Sequence, residues 1–409
     1  MSIFQSADIL LPNNANMEKW AVIACDQFSA QPEYWQRVRV FAADAPSTVN
    51  LILPECDLEG DYSGKVAAIN ETMLTYVQQN IFKEYKDAFI YVERTLLSGK
   101  IRRGVVGSVD LDAYDYTSGT EAGVRATEKT VLERIPPRQR IRENASLELP
   151  HVLLLCDDPT QQLLGSIDVA SLPVVYDFDL MEGGGHITGR LLQGAAADRF
   201  REAVAAYEAS CEAKFAPNAP VYYAVGDGNH SLATAKSCYE AMKAASPDAD
   251  LSCHPARYAL VELENIHDDS QEFEPIHRVI FRTDPKAMLT AMEQAVCAPD
   301  GYPVRWFSGN DSGTVKLKLA DGQLSIGVLQ AFLDEYLHDH PGEIDYIHGD
   351  DATRQLAAEE NAIGFLLPAM EKSSLFPGII ADGVLPRKTF SMGHAQEKRY
   401  YLEAHVIKK

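Results

Sequence analysis

The stretch VYYAVGDGNHSLATAK, residues 221–236, constrains local structure more tightly than any other part of the chain. Val221 to Val225 read as a buried strand, and Leu232, Ala235, Tyr239 and Met242 recur at the spacing of one helix face. Between them Gly226-Asp227-Gly228-Asn229-His230-Ser231 interrupts the apolar run. A strand that runs through a glycine-rich turn into a helix brings first-turn N–H groups and the positive end of a helix dipole to one point. Phosphate and carboxylate suit such a point.

Each residue of the interruption has a chemical use. Gly226 and Gly228 permit positive φ or close ligand approach and, with Asn229, are candidate anion binders. Asp227 suits a proton acceptor or a magnesium ligand, and His230 suits an oxyanion donor or proton shuttle near neutral pH. The third glycine of a dinucleotide fingerprint and the Lys-Ser/Thr of a P-loop are both missing. Helix capping by Asn229 or Ser231 is the purely structural alternative.

Two further segments carry polar residues next to apolar runs. In FEPIHR (273–278), His277 and Arg278 reach the same pocket if this strand lies beside the first, with Arg278 clamping an anion bidentately. In LPRKT (385–389), Lys388 is placed to neutralise a phosphate. Arg134, Arg138, Arg140 and Arg142 form a basic cluster that fits a small anionic ligand. No His-Glu-x-x-His or EF-hand spacing occurs, which argues against zinc and leaves magnesium on Asp227, with a nucleotide, as the metal option.

Net charge narrows the partners. With 37 Lys and Arg against 59 Asp and Glu the chain carries −22, which repels nucleic acid and acidic membranes. Seven widely spaced cysteines without a Cys-x-x-Cys pair fit a reducing cytoplasm. The start lacks an export signal, and no apolar run reaches about 18 residues. A soluble, cytoplasmic protein with a small-molecule substrate is expected, its oligomeric state left open.

Strands and helices interleave without regular alternation, so the fold class is α+β (mixed α/β), with mixed sheets and helices packed on them. The 409 residues divide into 1–150, 151–300 with the central motif, and 301–409, by weakly marked boundaries compatible with one or two compact domains. MEKWAVIACD reads as a strand ending at Asp26, with a helix from Gln31-Pro32-Glu33. Residues 66–86 read as one amphipathic helix, FIYVERTL and IRRGVVGSVDL as a hairpin, and EKRYYLEAHVI as a final strand.

Four phrases, IACDQFSAQPEYW, GDGNHSLATAK, EPIHR and LPRKT, occur in the order found in the bacterial and archaeal domain of unknown function 1015 family. The chain resembles that family, especially its clostridial type, over essentially its whole length. The family's usual Asp-Gly-His-His-Arg reads here Asp227-Gly228-Asn229-His230-Ser231, so Ser231 stands where the Arg would be. That central motif is in turn similar to the nucleotide-binding box of the ParB and sulfiredoxin superfamily, which includes free-serine kinases.

The resemblance implies a ParB/sulfiredoxin-like strand–loop–helix core and a nucleotide-dependent phosphotransferase acting on a small anionic metabolite with ADP or ATP and magnesium. Asp227 would then be base or metal ligand, and His230 would stabilise transferred charge. Arg278 and Lys388 would hold phosphates, with Arg278 or Arg138 and Arg142 compensating for the missing arginine. Family-typical Glu128-Lys129-Thr130 lies just upstream of the arginine cluster. A non-catalytic nucleotide- or amino-acid-binding regulator and a metal-assisted hydrolase using Asp227, His230 and His277 are the alternatives.

Overall fold

The computed structural model describes residues 2–58, 60–130, 135–386 and 388–408. Among these residues two large sheets organise a mixed α/β fold: one of eleven strands, with parallel and antiparallel pairs, and one of six strands paired antiparallel throughout. The larger runs Val174–Asp179, His186–Leu192, Phe82–Thr95, Ile101–Asp110, Tyr258–Asn265, Leu153–Cys156, Tyr223–Asp227, Val124–Ala126 and Tyr114–Asp115. The N-terminal strands Phe4–Gln5 and Ala7–Pro12 pair onto its middle members. Strands from both sides of residue 150 thus share one sheet.

Strict side-chain alternation explains why this sheet is covered on both faces. Phe89 and Tyr91 enter one core, with Phe200, Val204 and Tyr207 of the Ala195–Phe215 helix. Ile90 and Val92 enter the opposite core, with Trp20, Trp35 and Val38. A third core lies beneath the smaller sheet, where Met288, Met292, Leu329 and Leu333 come from the Pro285–Ala295 and Ser325–Asp339 helices.

The hairpin around Ser98-Gly99-Lys100 forms as expected, pairing Thr95 with Ile101 and Ile90 with Val106. Three other segments differ from their sequence reading. The helix beginning at Ser63 ends at Gln78; Asn80 then takes a left-handed φ of 52°, and Phe82 already belongs to a strand. Met17–Trp20 is a helical turn whose Asn16 side chain accepts from the Lys19 N–H, so only Val22–Ile23 remains as strand. EKRYYLEAHVI splits into Tyr400–Tyr401 and His405–Val406, which pair with Val22–Ile23 and Leu147–Glu148 respectively.

Two connections set the place of the site. Tyr223–Asp227 lies between Val124–Ala126, parallel to it, and Leu153–Cys156, antiparallel. Beyond its end the Asn229–Ala245 helix begins. In the smaller sheet Phe273–Phe281 extends past its neighbours to pair with Phe390–Met392, which brings the 385–392 segment across to the end of the central strand. Leu385 then donates its N–H to the Thr127 carbonyl at 2.8 Å, stitching the two sheets together there.

Candidate functional site

At that meeting point lies a polar cavity of about 600 Å³. Gly226 to Ser231 form its floor, Glu128, Lys129 and Arg138 one wall, and Lys388 and Lys398 another, with Cys25, Asp26 and Gln27 closing it. The loop is built for close approach. A Cβ on Gly226 would stand 2.7 Å from Leu155 Cδ1 and 2.9 Å from Met392 Sδ. Gly228, the residue before the helix, has φ +79°, and a Cβ there would meet Val152 Cα at 3.0 Å. Gly228→Ala is therefore expected to lose about 1–2 kcal/mol from the left-handed backbone alone, read as a lower urea midpoint with an unchanged slope.

Asp227 is the electrostatic centre. Its Oδ1 accepts the Gly228 N–H at 2.9 Å, and its Oδ2 faces Lys398 Nζ at 3.1 Å. Burial alone would raise this carboxyl, but the Lys398 ammonium, with the Gly228 hydrogen bond, holds it below its ordinary value. Glu128 goes the other way: burial raises its pKa, against the pull of Lys388, whose backbone N–H donates to Glu128 Oε1 at 3.2 Å. The floor thus holds a carboxyl whose charged form is stabilised and one wall a carboxyl whose charged form burial disfavours.

Lys398 owes its place to a buried arginine. Arg94 sits in the Phe82–Thr95 strand and donates to the carbonyls of Gln396 at 2.7 Å, Glu397 at 3.0 Å and Lys398 at 2.6 Å. A fixed guanidinium fork satisfies several carbonyls at once, and a lysine could not replace it.

A hydrogen-bonded chain crosses from Ser231 to the N-terminal segment. Ser231 Oγ lies 3.3 Å from His151 Nε2, His151 Nδ1 lies 2.8 Å from Tyr401 Oη, and Tyr401 donates to Cys25 Sγ at 3.1 Å. Burial lowers the pKa of His151 and pushes the Cys25 thiol up to about 11, so burial favours the uncharged form of both.

A family model described as "Protein of unknown function (DUF1015)" matches residues 8–404. The chain belongs to that family. No curated protein matches the sequence. Among solved structures, a free serine kinase in complex with AMP is similar to this DUF1015 chain at 12% identity and a TM-score of 0.37, covering 76% of this chain and 92% of that one. SbnI with C-terminal truncation from Staphylococcus aureus is similar at 10% identity and a TM-score of 0.35, covering 74% and 82%. At that distance the likenesses say nothing of this chain's chemistry.

Of the residues singled out from the DUF1015 sequence, Gly226, Asp227, Gly228, Asn229, His230, Lys388 and Arg138 all line the cavity. Arg138 pairs there with Glu55. Asn229 faces inward to the protein, accepting from the Thr127 N–H and donating to Thr127 Oγ1, both at 3.3 Å, which ties the loop to its parallel neighbour. It does not cap the helix; Gly228 holds that position with no side-chain hydrogen bond.

His277 and Arg278 do not line the cavity. His277 Nδ1 accepts the Leu367 N–H at 3.1 Å while Nε2 meets Asp350 at 3.1 Å, and burial lowers its pKa. Arg278 is buried, bonded to Gln330 Oε1 at 2.8 Å and to the Lys388 carbonyl at 3.0 Å, so it positions the lysine segment. Arg142 pairs with Glu148 at 2.7 Å, away from the cavity, and Arg134 lies outside the described residues. No cluster of three or more His, Cys, Asp or Glu that could hold a metal occurs among the described residues, and Asp227 is already paired with Lys398. Among the same residues, no helix is long and apolar enough to cross a membrane.

Sequence reasoning missed Lys398, His151 and Tyr401 as site residues. Cys25-Asp26-Gln27 carried a signal, since the resemblance rested partly on that phrase.

Proposed function

We propose that this DUF1015 protein is a nucleotide-dependent phosphotransferase acting on a small anionic metabolite. The observation that carries the reading is the convergence of Lys129, Arg138, Lys388 and Lys398 on the Asp227 loop, in a chain whose net charge is −22. These cations share the cavity with Asp26, Glu55, Glu128, Asp227 and Glu274, and at the start of a long helix they offer phosphate oxygens their counter-charges. Carboxylates beside the cations supply a proton acceptor, and Asp227, held ionised, is the group placed for that role. Lys388 and Lys398 would hold phosphate oxygens. Positioning and charge stabilisation would then do most of the catalysis, as phosphoryl transfer requires.

A melting screen of the full chain with ADP, ATP, serine and divalent ions tests this reading. ADP at about a hundred times its Kd is expected to stabilise the fold by about 2.7 kcal/mol. ATP with an acceptor should yield transferred phosphate. Stabilisation without transfer would favour a nucleotide-sensing regulator, and no shift with either nucleotide would end the proposal.

A further inference from the structure

Beyond the Ser231–His151 pair the polar cavity continues into a second space of about 140 Å³. Its walls are largely apolar, with Leu51, Leu53, Met73, Ile141, Ala145 and Leu149, and the Arg142–Glu148 ion pair also lines it. Cys25, Glu55, Arg138, His151 and Ser231 line both spaces and so form the neck between them. The volume admits on the order of five heavy atoms, taking a water's share of liquid as the measure. A largely apolar recess joined by polar side chains to a cavity lined by Lys129, Lys388 and Lys398 matches a ligand with the same sequence of parts.

Resting on the phosphotransferase reading, we propose that the recess holds the aliphatic tail of the phosphoryl acceptor, a short-chain hydroxy acid. Its hydroxyl carbon lies at the neck, with the tail on the recess side and the carboxylate toward Lys129, Lys388 and Lys398. The acceptor oxygen forms a bond to the γ-phosphorus of a nucleoside triphosphate. The bond from that phosphorus to the β–γ bridging oxygen breaks, and nucleoside diphosphate leaves. The acceptor's hydroxyl proton passes to the Asp227 carboxylate, the proton acceptor of the phosphotransferase reading.

The test measures ATP-dependent phosphate transfer by the full chain to 3-hydroxybutyrate and 3-hydroxyhexanoate, with serine as the tail-less acceptor. kcat/KM should rise about fourfold per added methylene, hence about 16-fold between the two hydroxy acids. Ala145→Phe and Leu58→Phe both fill the recess and should erase that slope. Leu58 is only partly buried, so its variant tests the recess if the other fails to fold. A flat series, or a slope that survives the filling variants, would overturn the proposal while nucleotide binding stands. Where no nucleotide shifts the melting temperature, the phosphotransferase reading fails by itself. The recess is then judged by melting shifts with the two hydroxy acids alone: a larger shift with the longer one supports it, and equal shifts overturn it.

Discussion

Asp227→Asn is expected to lower phosphate transfer about a thousandfold, within the range for loss of a positioned general base. The substitution keeps the side chain's size and its ability to accept the Gly228 N–H, so the loop geometry should persist. What it removes is the charge facing Lys398 at 3.1 Å. A second readout needs no substrate. Asp227's folded pKa lies below its ordinary value of 3.8, so the carboxylate contributes stability that is present above that value and lost as pH falls through the folded pKa. At pH 7 the variant should therefore be less stable than the parent by about 2 kcal/mol, typical of a hydrogen bond to a charged group. Below about pH 4 the gap should narrow. An unchanged gap across that window would show that the Lys398 contact contributes nothing to the carboxylate, and undiminished transfer would remove Asp227 from the chemistry.

What the sequence made legible was local. Glycines on both sides of Asp227 and the helical spacing from Leu232 to Met242 were enough to place the junction, because strand, turn and helix there are each set by neighbours within a few residues. The 66–86 segment shows where the same reasoning overran. Val77 and Ile81 keep helical spacing, yet Asn80 adopts a left-handed turn and the following residues pair with Ala7–Pro12. His277 and Arg278 were placed on the correct strand, but which way their side chains turn depends on Leu367, Gln330 and Asp350. Lys398, His151 and Tyr401 were invisible for the same reason. The Tyr401–His151 hydrogen bond spans 250 residues of chain, and Lys398 reaches Asp227 only because Arg94 holds its backbone.

The residue next to Lys398 gives the largest stability effect expected in the molecule. Arg399 is 4% exposed, with Nε 2.7 Å from Glu262 and Nη2 2.7 Å from Glu403, and its Nη1 donates to the carbonyls of Pro150 and Tyr400. Both carboxylates are buried, Glu403 completely, and Tyr176 donates to the latter at 2.6 Å. Burial alone would lower the guanidinium's pKa, but Glu403 and Glu262 raise it above its ordinary value, so the group is charged at every pH of interest. Arg399→Met leaves two carboxylates without a counter-charge in the core, and breaking such a buried arrangement costs about 3–5 kcal/mol. The urea midpoint should fall accordingly. The cost belongs to the stranded acids more than to lost attraction, since desolvation offsets much of what a buried ion pair gains. Adding Glu262→Met and Glu403→Leu to the variant should therefore restore most of the stability, as apolar replacements of buried charge clusters do. If the triple variant is no more stable than Arg399→Met alone, the penalty lies instead in the lost bonds to Pro150 and Tyr400. In that case the triad's task is to anchor the backbone that carries Lys398 to Asp227, and nucleotide-induced stabilisation should fall in both variants alike.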